Sequence, residues 1–162
     1  MISHFGKDVK IIITGISMGA ATVLMALSQD LPENVIGVLA DCGYTSAKDI
    51  IKKTIKEMRL PPNLAYPFVV LGARLFGKFN INETPPIEAV KNSKLPIIYF
   101  HGEADDFVPC EMSRQNFAAT SSRKKLITVK KAGHGLSYII EPDRFLKELS
   151  DFFEFELNSS NF

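Results

Sequence analysis

The stretch Val9-Lys10-Ile11-Ile12-Ile13-Thr14-Gly15-Ile16-Ser17-Met18-Gly19 is an apolar, β-branched run that breaks into a serine between two glycines. Three consecutive isoleucines predict a strand over Val9–Thr14, buried on both faces of a parallel sheet. The small residues Ala20 and Ala21 follow at once, so the strand is expected to turn sharply into a helix. A serine in such a turn sits in a strained backbone conformation, with its hydroxyl raised above the sheet edge. Gly15 and Gly19 are expected to let strand and helix backbones approach where a Cβ would clash. No G-K-[ST] follows, so the turn is not a phosphate loop.

Outward from this turn the chain alternates between strands and helices. A helix is predicted over Met18–Asp30, with Leu24, Leu27 and Leu31 on its apolar side and Pro32 ending it. A second strand spans Val35–Ala40. Thr45 or Ser46 then caps a helix reaching Met58, with Ile51, Ile55 and Met58 along one side. A third strand covers Leu95–Phe100, and Pro109 opens a helix to Ala119. The fourth strand, Lys125–Val129, precedes a helix over Pro142–Leu157 that buries Phe145, Leu149, Phe152 and Phe153; the tail Asn158–Phe162 is expected to fray. The sum is an α/β fold, a mostly parallel sheet of about four strands with flanking helices, in a single domain over residues 1–162.

Residues 59–92 interrupt the rhythm. Pro61-Pro62 opens this segment and Pro85-Pro86 closes it, and Leu71, Leu75, Phe76 and Phe79 can share one stripe of a helix. Two compatible readings stand: a crossover helix covering the sheet, or a small cap lending apolar surface to a pocket.

Composition excludes several function classes. The 162 residues carry a formal charge of +1, with 46% hydrophobic and 23% charged residues. That is a globular composition, without the basic excess that nucleic acid or an anionic membrane would require. No apolar run is long enough to cross a bilayer, and charges interrupt the N-terminus, so neither a membrane span nor a signal peptide is expected. Cys42 and Cys110 form no CxxC and read as small, buried or half-buried residues in a reducing, cytoplasmic setting. Three scattered histidines, with no HxH or HExxH, predict no metal site, and no cofactor is expected.

Three loops at the carboxyl ends of strands carry reactive side chains: Ser17, Asp105 and His134. Ligands of open α/β sheets bind outside those ends, so residues far apart in sequence can meet on one rim. A serine hydroxyl is a poor nucleophile until an imidazole takes its proton, and the imidazole needs a carboxylate on its other nitrogen. Asp105 is the preferred carboxylate; Asp41, at the end of the second strand, and Asp106, next door, are its rivals. His4 lies in an irregular start. His101 is expected to order its own loop by hydrogen bonding.

The order Ser17, Asp105, His134 and the motifs around them resemble the α/β-hydrolase superfamily, near its prolyl-oligopeptidase-like and acyl-esterase-like branch. Gly15-Ile16-Ser17-Met18-Gly19 is similar to the nucleophile elbow, His101-Gly102-x-x-Asp105-x-x-Val108-Pro109 to the acid loop, and Gly133-His134-Gly135 to the histidine loop. The similarity runs from about Val9 to Phe153. It implies that these strands correspond to the fifth through eighth of the family's sheet, a truncated α/β-hydrolase fold, with 59–92 where caps are inserted.

The resemblance also implies a serine hydrolase acting on an ester or amide bond. The backbone N–H of Met18 would be one oxyanion donor, and the strand that supplies a second would lie outside this chain. An inactive hydrolase-derived binding domain and an acyltransferase are the alternatives. Tyr44, Tyr66, Phe68 and Phe107 are candidate pocket residues for a small ester, acyl or peptide substrate. With no upstream strand beside it, Val9–Thr14 becomes an apolar edge, and a homo-oligomer, a dimer in the simplest case, is expected through it.

Overall fold

In a computed structural model, which describes residue 6 and residues 8–154, four parallel strands lie in the order of the chain. They are β1 (Ile11–Ile16), β2 (Val35–Asp41), β3 (Ile97–Gly102) and β4 (Lys124–Val129). The connecting helices are α1 (Met18–Ala26), α2 (Ala47–Glu57), α3 (Pro62–Gly72), α4 (Pro86–Ala89), α5 (Cys110–Ala119), α6 (Ser137–Ile140) and α7 (Pro142–Phe153). His4 and the expected tail lie outside the described residues.

Strand pleating divides the apolar residues between two faces. Val38, Ala40, Ile97 and Tyr99 point to one side, where Ala20 and Leu24 of α1 and Phe117 of α5 meet them. Leu39, Ile98, Phe100 and Ile127 point to the other, against Phe145, Leu149, Phe152 and Phe153 of α7. These are the four residues expected to be buried on the last helix. Each large side chain fully buried this way contributes roughly 1.5–3 kcal/mol, so the two faces hold the sheet between helix layers and fix where its carboxyl ends open.

The first strand departs from expectation in position and burial. It runs Ile11–Ile16 rather than Val9–Thr14, is half-buried over the isoleucines, and leaves Thr14 and Ile16 exposed. The cause is its place at the sheet margin: among the described residues β1 pairs with β2 alone, with a register shift between Ile11 and Ile12. The α1 helix ends at Ala26, short of the expected Asp30, because Leu27, Ser28 and Gln29 form tighter i−3 backbone bonds.

Residues 59–92 meet the sheet core only at their end, where Val90 joins the cluster of Val38, Ile97 and Tyr99. Pro61 and Pro62 start α3, which packs on α2 and runs into a single π-turn, Ala73–Gly77. Leu71, Leu75, Phe76 and Phe79, expected to share one stripe, all stand exposed, Phe76 at 88%. Chain compaction resumes only where α4 tucks Pro86 and Ala89 beneath the sheet-covering layer and the 3-10 turn Val90–Asn92 buries Val90.

Candidate active site

Ser17 sits between β1 and α1 with φ 56° and ψ −116°, a conformation that L-residues rarely adopt. Its N–H is held by the carbonyl of Asp41 at 2.9 Å and its C=O receives the N–H of Ala21. It stands where a helix N-cap stands, yet its hydroxyl makes no capping bond. The strained turn therefore leaves the Oγ uncommitted and places Met18 N–H at the free, electropositive start of α1.

Gly15 and Gly19 are not equivalent. A Cβ on Gly15 would lie 2.2 Å from the backbone of Gly19, whereas one on Gly19 would meet nothing within 4 Å. The close approach is real, but only Gly15 must lack a side chain; Gly19 merely presents the backbone that Gly15 touches.

Asp105 follows β3, in the loop that His101 braces. His101 Nε2 faces the carbonyl of Val108 at 2.8 Å, so that nitrogen carries the proton and Nδ1 accepts from the hydroxyl of Ser113 at 2.7 Å. The Asp105 carboxylate then uses both oxygens: Oδ1 accepts from the N–H of Phe107 (3.0 Å) and Val108 (2.9 Å), and Oδ2 accepts from His134 Nδ1 at 2.8 Å. That last bond fixes the tautomer of His134, leaving Nε2 as a free acceptor.

Asp105 Oδ2 thus faces two imidazoles, those of His134 and His101. Ser113, His101 and Asp105 have triad connectivity consistent with a serine-hydrolase mechanism, with His101 Nε2 3.3 Å from Asp105 Oδ2. Both Ser113 and His101 are fully buried, and burial holds the His101 imidazole below its ordinary pKa. A substrate cannot reach that serine. Sequence reasoning missed Ser113 because nothing in its local pattern separates it from an ordinary helical serine.

His134 reaches the rim on the turn after β4, half-buried, with Phe107 edge-on at 5.0 Å. Its neighbour Gly135 has φ 67° and lies against Ile16, beside Ser17. Between them sits Cys42, whose thiol lies beside the N–H groups of Ser17 and Gly135. The rival carboxylates are engaged otherwise. Asp41 is buried and accepts from Ser137 Oγ at 2.8 Å, and burial raises its pKa. Asp106 is exposed, its carbonyl bonded by Lys53.

Cys42 is buried and Cys110 half-buried, as expected for small residues, and Cys42 also lies near His134. The Cys42 Sγ lies within 4.8 Å of Asp105 and His134 donor atoms, a possible metal ligand set by distance. The chemistry of the set opposes that use: burial, with Asp41 adding to it, pushes the thiol up to about 12, and Asp105 already spends both oxygens.

A cleft of about 930 Å³ opens at Ser17 and Met18. Tyr44 and Phe107 line it; Tyr66 and Phe68 do not. Phe68 points to solvent at 68% exposure because α3 rests on α2 and turns that side outward. Tyr66 acts at one remove, its hydroxyl paired with Asn82 Oδ1 at 2.6 Å within the 79–84 segment that walls the cleft. None of the helices among the described residues is long and apolar enough to cross a membrane.

No family model matches the chain. It is similar to the uncharacterized protein YqkD of Bacillus subtilis, 22% identical over 143 residues, which cover 88% of this chain and 47% of that protein. The chain thus spans about half the length of the curated relative it matches. Among solved structures, the esterase Pf2001 of Pyrococcus furiosus superposes with TM-score 0.67 at 18% identity, over 94% of this chain and 56% of that one. The acylaminoacyl peptidase of Pyrococcus horikoshii superposes at 0.60 and 20% identity, over 90% of this chain and 24% of that one. At such identities the likeness speaks for fold, and fold alone does not choose a chemistry. The four-stranded parallel sheet with its flanking helices is consistent with a truncated α/β-hydrolase fold.

Proposed function

We propose that the protein is a serine hydrolase acting on an ester or amide bond at Ser17, with His134 as general base and Asp105 as its orienting carboxylate. The observation that carries this is the 2.8 Å bond from His134 Nδ1 to Asp105 Oδ2, at the rim beside the strained, uncapped Ser17. Ser17 Oγ attacks the carbonyl carbon as its proton passes to His134 Nε2. The N–H of Met18 supports the oxyanion, and the imidazolium then protonates the leaving group before water repeats the cycle. The hydrophobic cleft walls favour an apolar substrate portion. Two solved structures of similar fold, an esterase and a peptidase, accord with an acyl-transfer chemistry without choosing between ester and amide.

The buried Ser113 set serves a different purpose in this proposal: it braces the acid loop from below. A fluorophosphonate probe separates the two serines. Wild type and Ser113→Ala label, Ser17→Ala does not, and peptide mapping places the adduct on Ser17. Labelling that persists in Ser17→Ala and maps to Ser113 ends the proposal.

We also propose self-association through the β1 edge in a cytoplasmic setting. It is supported by the single pairing of β1 among the described residues and by its half-buried isoleucines.

A further inference from the structure

The outward side of α3 is apolar, where a helix packed on a protein surface is normally polar. Its inward side is fixed by Tyr66, buried with its hydroxyl on Asn82 Oδ1 at 2.6 Å, and by Asn63, whose Oδ1 accepts from Lys52 Nζ of α2 at 3.0 Å. Lys52 also lies over the Tyr66 ring, 5.5 Å from its centre. Leu64 and Phe68 each stand two residues from Tyr66, about 200° around the helix, so both project away from α2. Leu71 and Leu75 continue that stripe at spacings of three and four, the last of them in the π-turn. All four are exposed, by 51% to 68%, and Phe76 beside them by 88%. The stripe is about 16 Å long from Leu64 to Leu75.

These side chains form a ridge. None of the five lines the cleft at Ser17, and none can make a hydrogen bond, so a covering surface has neither a pocket to fill nor a polar group to match. From Met58 to Asn82 the chain carries Arg59, Arg74 and Lys78 and no carboxylate, a local charge of +3 against +1 for all 162 residues. The overall charge, which gives no reason to expect an anionic membrane, hides this local excess. All three cations are exposed, and none forms an ion pair among the described residues. A second copy laid isologously on the ridge would bring the same cations together, with no carboxylate of the segment to pair them. Anionic headgroups over hydrocarbon match both features at once, because the apolar side chains enter the acyl boundary while the cations meet the headgroups.

We infer that the outward ridge of α3 and its π-turn docks the protein on an anionic lipid surface, with Phe68 and Phe76 inserted and Arg74 and Lys78 at the headgroups. The docking is independent of the chemistry at Ser17. The helix lies in the plane of the interface; its 11 residues are too few to cross a bilayer. Each cation held near such a surface gives about fivefold in binding. Burying a phenylalanine gives roughly tenfold or more.

Cosedimentation of the full chain with lipid vesicles tests this. Wild type and Ser17→Ala bind vesicles of phosphatidylcholine with about one-third phosphatidylglycerol and not phosphatidylcholine alone, and binding falls in about 1 M salt, where the screening length is about 3 Å. Arg74→Gln with Lys78→Gln weakens binding about 25-fold. Phe68→Ser with Phe76→Ser weakens it on the order of 100-fold. The sequence has no tryptophan, so Phe68→Trp adds a single fluorophore, whose emission shifts to the blue on anionic vesicles and is quenched by brominated acyl chains. Absent vesicle binding, binding equal on neutral lipid, binding untouched by both double variants, or an emission that vesicles leave unmoved overturns the inference. Self-association that the phenylalanine variant abolishes, with no vesicle binding, assigns the ridge to a second copy and overturns it equally.

Discussion

Replacing each glycine of the Gly15-Ile16-Ser17-Met18-Gly19 turn by alanine, one at a time, should give opposite results. At Gly15 the new methyl would stand 2.2 Å from both the carbonyl carbon and oxygen of Gly19 and 2.6 Å from Ala20 N. All three are backbone atoms, so no side chain can swing away; the start of α1 must retreat by more than about 1 Å to restore van der Waals contact. Overpacking of this kind costs about 3 kcal/mol or more. For a chain of this size that lowers Tm by roughly 10 °C. At Gly19 a methyl meets nothing, and alanine in place of a helical glycine stabilises by about 0.5–1 kcal/mol, raising Tm by a few degrees. Urea unfolding with a shared m-value measures both. The same displacement in Gly15→Ala moves Met18 N–H relative to Ser17, so probe labelling at Ser17 should fall along with stability. A Gly15→Ala protein within 0.5 kcal/mol of wild type, or a Gly19→Ala protein as damaged as Gly15→Ala, would refute the argument that one backbone contact sets this turn.

Two further expectations follow from buried charge and from the sheet margin. His101 has its pKa lowered by burial, so below about pH 6.5 the unfolded chain takes up a proton that the folded chain refuses, and this residue's contribution to stability falls as pH drops. Asp41, raised by burial, acts in the opposite sense as pH falls toward its folded pKa, so the direct readout is the NMR titration of the His101 ring, whose midpoint should lie below that of a free imidazole. A His101 that titrates at or above 6.5 contradicts the buried, Val108-bonded geometry. Self-association through β1 predicts a dimer by light scattering at micromolar concentration; a monodisperse monomer removes that proposal.

Much of the fold was legible because local chemistry repeats along the chain. Apolar β-branched runs marked four strands, and the 3.6-residue spacing of Phe145, Leu149, Phe152 and Phe153 marked the helix that covers one sheet face. Ser46 announced its helix through a side chain that accepts the N–H of Asp49. The misjudged segments share a cause. The isoleucines of β1 and the apolar stripe of 71–79 look buried by composition, but burial depends on what packs against them, and that partner is not encoded locally. The short α6 turn, Ser137–Ile140, was not anticipated, since its buried Ser137 owes its place to Asp41, far away in sequence.

The sequence by itself determined the chemical vocabulary of the rim: a glycine-flanked serine after a strand, an aspartate and a histidine after later strands, in that order. Those follow from residue type and strand position, which are local properties. Only the tertiary structure decided which carboxylate faces His134, that Ser113 and His101 form a second, closed network on the same aspartate, and that Cys42 lies between the elbow and the histidine loop. It also decided that the cleft at Ser17 is lined by residues of α1, α2 and 79–84, with Tyr66 and Phe68 outside its lining. Each of these depends on distances between residues tens of positions apart, set when the two sheet faces are packed, and no spacing within a single segment carries that information.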